Sequence, residues 1–383
     1  MENLIEIDLS DFDSSLVTDM TNMFAGCSSL ISIDLSHLVT TQVEYMQSMF
    51  SNCASLTELD LSTLNTAKVK SMNYMFMNCK KLESLILTNM NTAQVETMEA
   101  MFCGLSSLKN LDVSDFVTTN VKNMNKMFWN CTQLESLDVT NFNTANVVSM
   151  GLMFAGCKSL ASLVVSNFNT EKVENMGGMF SNCEGLLALD VSHFDTSKVT
   201  SMADMFSGCL NITTLSLANF LTSNVEDMGN MFLNCIKLQS LDISKFDTSK
   251  VTNMGNMFHN CYELLSLDVS KFDTSNVVNM FRMFTECRVV NSLDVSKFDT
   301  SKVTNMDSMF YNCSNVPVLD VSKFNTEKVV TMLQLFLGCK KITSLEVSQF
   351  NTANVEDMAG MFYDCQSLKD MDRETKKPED FNK

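Results

Sequence analysis

Phe24, Phe50, Phe76 and Phe102 open a series that runs on through Phe128, Phe154, Phe180, Phe206, Phe232, Phe258, Phe284, Phe310 and Phe336 to Phe362, with a step of 26 residues throughout. Met precedes each of them except Phe336, which follows Leu335. A fixed period between 20 and 50 residues marks a repeat architecture, in which each unit packs only on its neighbours. The period predicts one array over residues 1–371, built of about fourteen 26-residue units. From Asp372 and Arg373 the pattern stops, and a charged tail over 372–383 follows.

Each unit holds a short alternation of apolar and polar residues. In Leu137-Asp138-Val139 the outer two face one way and Asp138 the other, which predicts a strand. Ile33-Asp34-Leu35, Leu59-Asp60-Leu61 and Leu267-Asp268-Val269 occupy the same place. These strands would stack as one parallel sheet, one rung per unit. A second aromatic column follows at Phe116, Phe142, Phe168 and their successors, with Leu38, Leu64 and Met90 in the early units, as core packing allows.

A Thr column comes next, from Thr40 to Thr352, opened by Ser14. A hydroxyl just ahead of Val147, Met150, Met153 and Phe154, spaced i, i+3, i+6 and i+7, reads as the N-cap of a short helix. An exposed Thr ladder of the ice-binding kind is the other reading, and adjacent Thr-x-Thr pairs, which would favour it, are absent. Two residues past each Phe stands Gly or Asn, as at Gly26, Asn52, Asn78 and Gly104. Both tolerate the left-handed backbone that ends a helix. Glu286 and Asp364 take that place too and should be strained or differently capped.

Three residues past each Phe stands a Cys, except at Leu105, with Cys103 displaced. Disulfides and metal binding are two readings of this column. A third, buried free thiols, accords with Leu105 as a direct substitute and with Cys131, Leu134 and Leu137 continuing one apolar spacing. His37, His193 and His259 are too scattered to complete ligand sets, so no metal site is expected.

The formal net charge is −18. It opposes a nucleic-acid or anionic-membrane partner, since both need a basic footprint. No run is apolar enough to span a membrane. Met1-Glu2-Asn3 lacks the basic start of a signal peptide. Two readings follow: a cytosolic protein, or the repeat region of a longer secreted one. No Ser/His/Asp set, Gly-rich phosphate loop or His/carboxylate cluster stands out, so the chain reads as non-enzymatic and without a cofactor.

Outward strand positions supply the candidate binding face. They are Asp34, Asp60, Ile86, Asp112, Asp138, Val164, Asp190, Asp242, Asp268, Asp294 and Asp320. Asp8, Glu346 and Asp372 extend the column, and Ser216 also breaks it. Asp is poor in strands, and like charges on neighbouring strands repel. Solvent with Lys245, Lys271, Lys297 and Lys323, a basic partner, or bound Ca²⁺ could each offset this. Val39, Val117 and Leu221 are nearby outward apolar positions.

The segment Leu56-Thr57-Glu58-Leu59-Asp60-Leu61-Ser62 resembles the strand of a leucine-rich repeat. The run from Phe246-Asp247-Thr248 through Met257-Phe258-His259-Asn260-Cys261 resembles the BspA-type leucine-rich-repeat surface proteins and the related mycoplasma lipoprotein repeat of unknown function. The resemblance covers about residues 4–371. It implies an α/β solenoid: a right-handed leucine-rich-repeat-like array, each unit a short parallel strand plus a short helix. It implies a place on the cell surface and a role in adhesion or protein binding; free thiols and the lack of a signal peptide favour the alternative, an intracellular scaffold or effector. It carries no catalytic residues. The Asn that usually follows the strand is replaced by Phe, as at Phe246, so curvature should differ from a horseshoe.

Overall fold

The computed structural model describes residues 3–371. The charged tail expected over 372–383, with Asp372 and Arg373, lies outside them. The chain divides into two compact units, Met1–Asp190 and Val191–Lys383.

In the first unit β1 (Glu58–Asp60) and β2 (Ser84–Ile86) pair in parallel, with Leu59 opposite Leu85. Asn110 and Ser136 bridge at the same place further along. In the second unit β3 (Thr214–Leu215) pairs with β4 (Ser240–Leu241), and β5 (Ser344–Leu345) with β6 (Asp370–Met371). Partners are always one repeat apart, so successive coils stack in register. β1, β4 and β5 are cut short by a carboxylate at the strand's end, which captures the N–H two residues on, as Asp60 Oδ1 does that of Ser62 at 2.8 Å. That turns the chain out of the ladder.

A second parallel ladder, unforeseen from the sequence, runs up each unit. Asp19, Tyr45, Ser71, Thr97, Asn123, Ser149 and Asn175 form it in the first, and Ser201 through Asp357 in the second. Each bridge falls inside the segment that the spacing predicts as a helix, as Ser149 does between Val147 and Met150. Among the described residues there is no helix. The backbone bonds of one coil show why. The N–H groups of Met124, Lys126, Phe128 and Asn130 donate to Ser149, Gly151, Met153 and Ala155 of the next coil. Those of Met127, Trp129 and Cys131 donate three residues back, to Met124, Lys126 and Phe128. Alternate donors leave the coil and the others close turns. An α-helix would need all of them to reach four residues back within the segment, and so short a helix is marginal in water. Turns of three residues still bring Val121, Met124, Met127 and Phe128 inward, so the apolar spacing imitates a helix.

The left-handed turn after each Phe is as expected, with φ of 73° at Gly26 and 61° at Asn52. Glu286 and Asp364 adopt it too, at 65° and 58°. A second left-handed column lies two residues before each Phe, and it accepts Tyr74, Ala100, Lys126, Leu152 and Arg282. Outside Gly, Asn and Asp such a conformation costs roughly 1–2 kcal/mol, offset here by the bonds to the neighbouring coil.

The core of each unit is a stack of Phe rings. Phe24 lies 5.4 Å from Phe50, Phe128 lies 5.6 Å from Phe154, and Phe206 lies 5.8 Å from Phe232. Each buried Phe contributes about 1.5–3 kcal/mol by burial, with about 0.5–1.5 more from ring contacts. The Thr column is buried and does not cap a helix. The Thr118 hydroxyl donates to the Asn143 carbonyl at 3.0 Å and accepts the Asn143 N–H at 2.7 Å, in the next coil. An exposed Thr ladder is thereby overturned.

Candidate functional site

In the first unit Asp34, Asp60, Asp112, Asp138 and Asp190 all face solvent on the strand side. The carboxylates of Asp34, Asp112 and Asp138 accept the N–H of Ser36, Ser114 and Thr140 at 2.8–3.0 Å. These bonds, with the hydroxyls beside them, hold the four carboxyls from Asp34 to Asp138 below the usual range. Each Asp therefore has a structural task that answers why it tolerates its place.

The second unit repeats this at Asp242, Asp268, Asp294 and Asp320, with Ser244, Ser270, Ser296 and Ser322 as donors. Lys245, Lys271, Lys297 and Lys323 are exposed three residues on. Behind the Ser244 bonds, Lys245 and Lys271 add to the lowering at Asp242. In the first unit the equivalent place holds Asn141 and Asn167, which sequence reasoning missed. Asn141 Nδ2 reaches the carbonyls of Val113, Ser114 and Phe116 in the preceding coil at 2.8–3.1 Å. The two units thus present different electrostatics on the same kind of face.

Ile86 lies opposite Asp60 in the ladder and is 41% exposed, and Val164 is 54% exposed. Val117 stands out from the surface as well. Beside Ile86 is a depression of ≈ 210 Å³, lined by Leu85, Asp112, Asp115 and Phe116 among others. Such a floor offers an apolar contact rimmed by carboxylates. Among the described residues no group of three or more His, Cys, Asp or Glu is placed to hold a metal ion.

The cysteines form a seam of free thiols, buried except for the half-buried Cys365. Each described donor bonds a Phe carbonyl one coil back, as Cys53 does Phe24 at 3.2 Å and Cys261 does Phe232 at 3.3 Å. Burial pushes Cys131 and Cys287 up to about 12. At neutral pH they hold their protons, so they are poor nucleophiles and poor metal ligands.

The sequence reading passed over the turn-bearing segment around each core Phe, flanked by the two left-handed columns. Trp129, Tyr74, Tyr311 and Tyr363 lie within two positions of the core Phe, and Arg282 does too.

The family model described as "Mycoplasma protein of unknown function, DUF285" matches seven times, over residues 1–111, 46–162, 104–215, 133–240, 209–293, 234–318 and 289–382. The chain belongs to the DUF285 family. This is the mycoplasma repeat that the sequence resembles. Among curated proteins none matches this DUF285 chain. Solved structures similar to it include a leucine-rich repeat protein from Bacteroides ovatus, at 18% identity over 86% of this chain and 82% of that one, with a TM-score of 0.42. A leucine-rich cell surface protein from Faecalibacterium prausnitzii shares 15% identity over 86% and 82%, with a TM-score of 0.38. The functional domain of InlJ from Listeria monocytogenes, described as including a cysteine ladder, shares 18% over 90% and 68%, with a TM-score of 0.27.

Proposed function

We propose that this DUF285 chain is a non-enzymatic protein-binding repeat, the adhesive region of a cell-surface protein that takes its partner on the strand face. The observation that supports this reading is Ile86. It stands exposed in a column occupied mostly by turn-forming carboxylates, with a shallow apolar floor beside it. Exposed apolar residues rimmed by polar ones mark contact sites more often than chance placement would. Val164 repeats the feature, and a solenoid face of aligned columns suits a broad protein partner. In the second unit Lys245, Lys271, Lys297 and Lys323 would favour acidic ground on that partner.

The test is binding of the whole chain to an array of extracellular matrix and host-surface proteins, beside the double variant Ile86→Asp/Val164→Asp. A hit weakened at least ten-fold by the double variant, with circular dichroism unchanged, supports the strand face. A hit that the variant leaves untouched moves the contact elsewhere. No hit on the array sinks the adhesive reading.

The reduced Cys seam favours a second reading, an intracellular scaffold that uses the same face, since free thiols persist in reducing compartments. Antibody labelling of intact against permeabilised source cells separates the two.

A further inference from the structure

The chain contains three arginines, and two of them, Arg282 and Arg288, stand in one coil of the second unit. That coil departs from its neighbours along Phe281-Arg282-Met283-Phe284-Thr285-Glu286-Cys287-Arg288. Its charges are not equivalent. Glu286 accepts a bond from Asn312 Nδ2 at 2.9 Å and pairs with Arg288 Nε. Arg288 in turn lies over the Tyr262 ring at 4.7 Å. Glu286 and Arg288 therefore neutralise one another. Arg282 lies over the Phe281 ring at 4.8 Å. Among the described residues no carboxylate lies within ion-pair distance of it.

Arg282 borders a depression of ≈ 240 Å³, together with His259, Asn260, Tyr311, Gln334 and Glu286, whose carboxylate is already taken by Arg288 and Asn312. The Asn256 amide donates to Asn230, so its Oδ1 accepts from His259 Nδ1 at 3.1 Å. Burial, followed by Arg282, lowers the His259 pKa, so the ring is neutral at physiological pH. Arg282 is then the one charge of the depression that nothing in the fold balances. A guanidinium presents a planar fork that matches a carboxylate. Arg and Tyr are also the residues in which binding energy concentrates at protein interfaces.

We propose that this depression docks an acidic segment of a protein partner, its carboxylate held by Arg282 and its flank packed on Tyr311. Charge complementarity argues for that occupant, because the surrounding chain is acidic and Arg282 offers cationic ground without a carboxylate of its own. The site lies on the turn side, away from the strand face, and stands or falls independently of the strand-face reading.

The test uses the whole chain on an array of immobilised nonapeptides with a central Asp or Glu, each printed beside its Asn or Gln counterpart. The expected result is a preference of at least ten-fold for the acidic members. Arg282→Gln should abolish it. Arg282→Lys, which keeps the charge and loses the fork, should retain only part of it. Lys198→Gln, at an exposed lysine outside both faces of interest, should leave it intact. An unchanged urea midpoint in both Arg282 variants shows that the fold survives. A preference that persists in Arg282→Gln overturns the proposal, as does no preference at all. Inorganic phosphate that displaces acidic peptides at equal or lower concentration overturns it too, since the depression would then be a small-anion site.

Discussion

The thiol of Cys157 donates to the main-chain carbonyl of Phe128, one coil back, at 3.2 Å. The same carbonyl accepts the N–H of Cys131 at 3.2 Å. The Cys seam thus spends its protons on the backbone and ties neighbouring coils together.

A thiol reagent should therefore find almost nothing in the folded protein, and fourteen thiols per chain after denaturation without reductant. Missing thiols in the denatured count would mean that the seam is paired. The seam also sets an alkaline limit. The folded thiol of Cys131 titrates near 12, while an unfolded one titrates near 8.5. Above about pH 8.5 the unfolded chain loses protons first, so stability should fall as pH rises towards 12. Urea midpoints between pH 8 and 11 check this, and Cys131→Ala should soften the slope.

Thr118→Val keeps the shape and removes the hydroxyl. It leaves both the carbonyl and the N–H of Asn143 without that partner. The expected loss is about 2–4 kcal/mol, read from chemical unfolding, while Thr118→Ser should lose under about half as much.

Gly156 has a φ of 75°, and a methyl there would run into the Asn130 side-chain oxygen. Gly156→Ala should lose at least about 1–2 kcal/mol from the left-handed backbone alone. Adding Asn130→Gly removes the collision and should recover part of the loss. A double variant no more stable than Gly156→Ala would show that the clash is relieved in some other way.

The carboxylate of Asp138 is held low, first by the Thr140 hydroxyl and then by the Thr140 N–H. A depressed folded pKa stabilises above the unfolded value near 3.9, and that contribution is lost as pH falls through the folded one. Melting temperatures should therefore drop below about pH 4. Asp138→Asn keeps an acceptor for the turn but no longer titrates, so its melting curve should vary less with acid.

Much of this could be read from the residues. Phe50 and Phe76 gave the step, Leu59-Asp60-Leu61 gave the strand, and Asn52 gave the left-handed turn. The helix failed because Val121, Met124, Met127 and Phe128 have the same inward spacing in three-residue turns as on a helical face. Thr118 resembled a cap because its partner lies 25 residues away, beyond any local signal. The second left-handed column was hidden because coil-to-coil bonds impose it even on Leu152 and Arg282. On the strand face, outward position was legible for Asp60, but its bond to Ser62 was not, so its part in the turn went unread. Arg282 went unnoticed because the regular columns drew attention away from the side where the coils differ.

The alternating backbone bonds also govern how such a chain can change its length. Lys126 donates to the Gly151 carbonyl, and Leu152, one coil on, donates to that of Gly177. Excise the 26 residues between equivalent points of those coils, and Lys126 meets Gly177 instead, with every donor still answered. Remove one residue fewer, and each donor arrives between two acceptors. Gene slippage in whole coils leaves a foldable product, whereas any other length breaks both ladders at once.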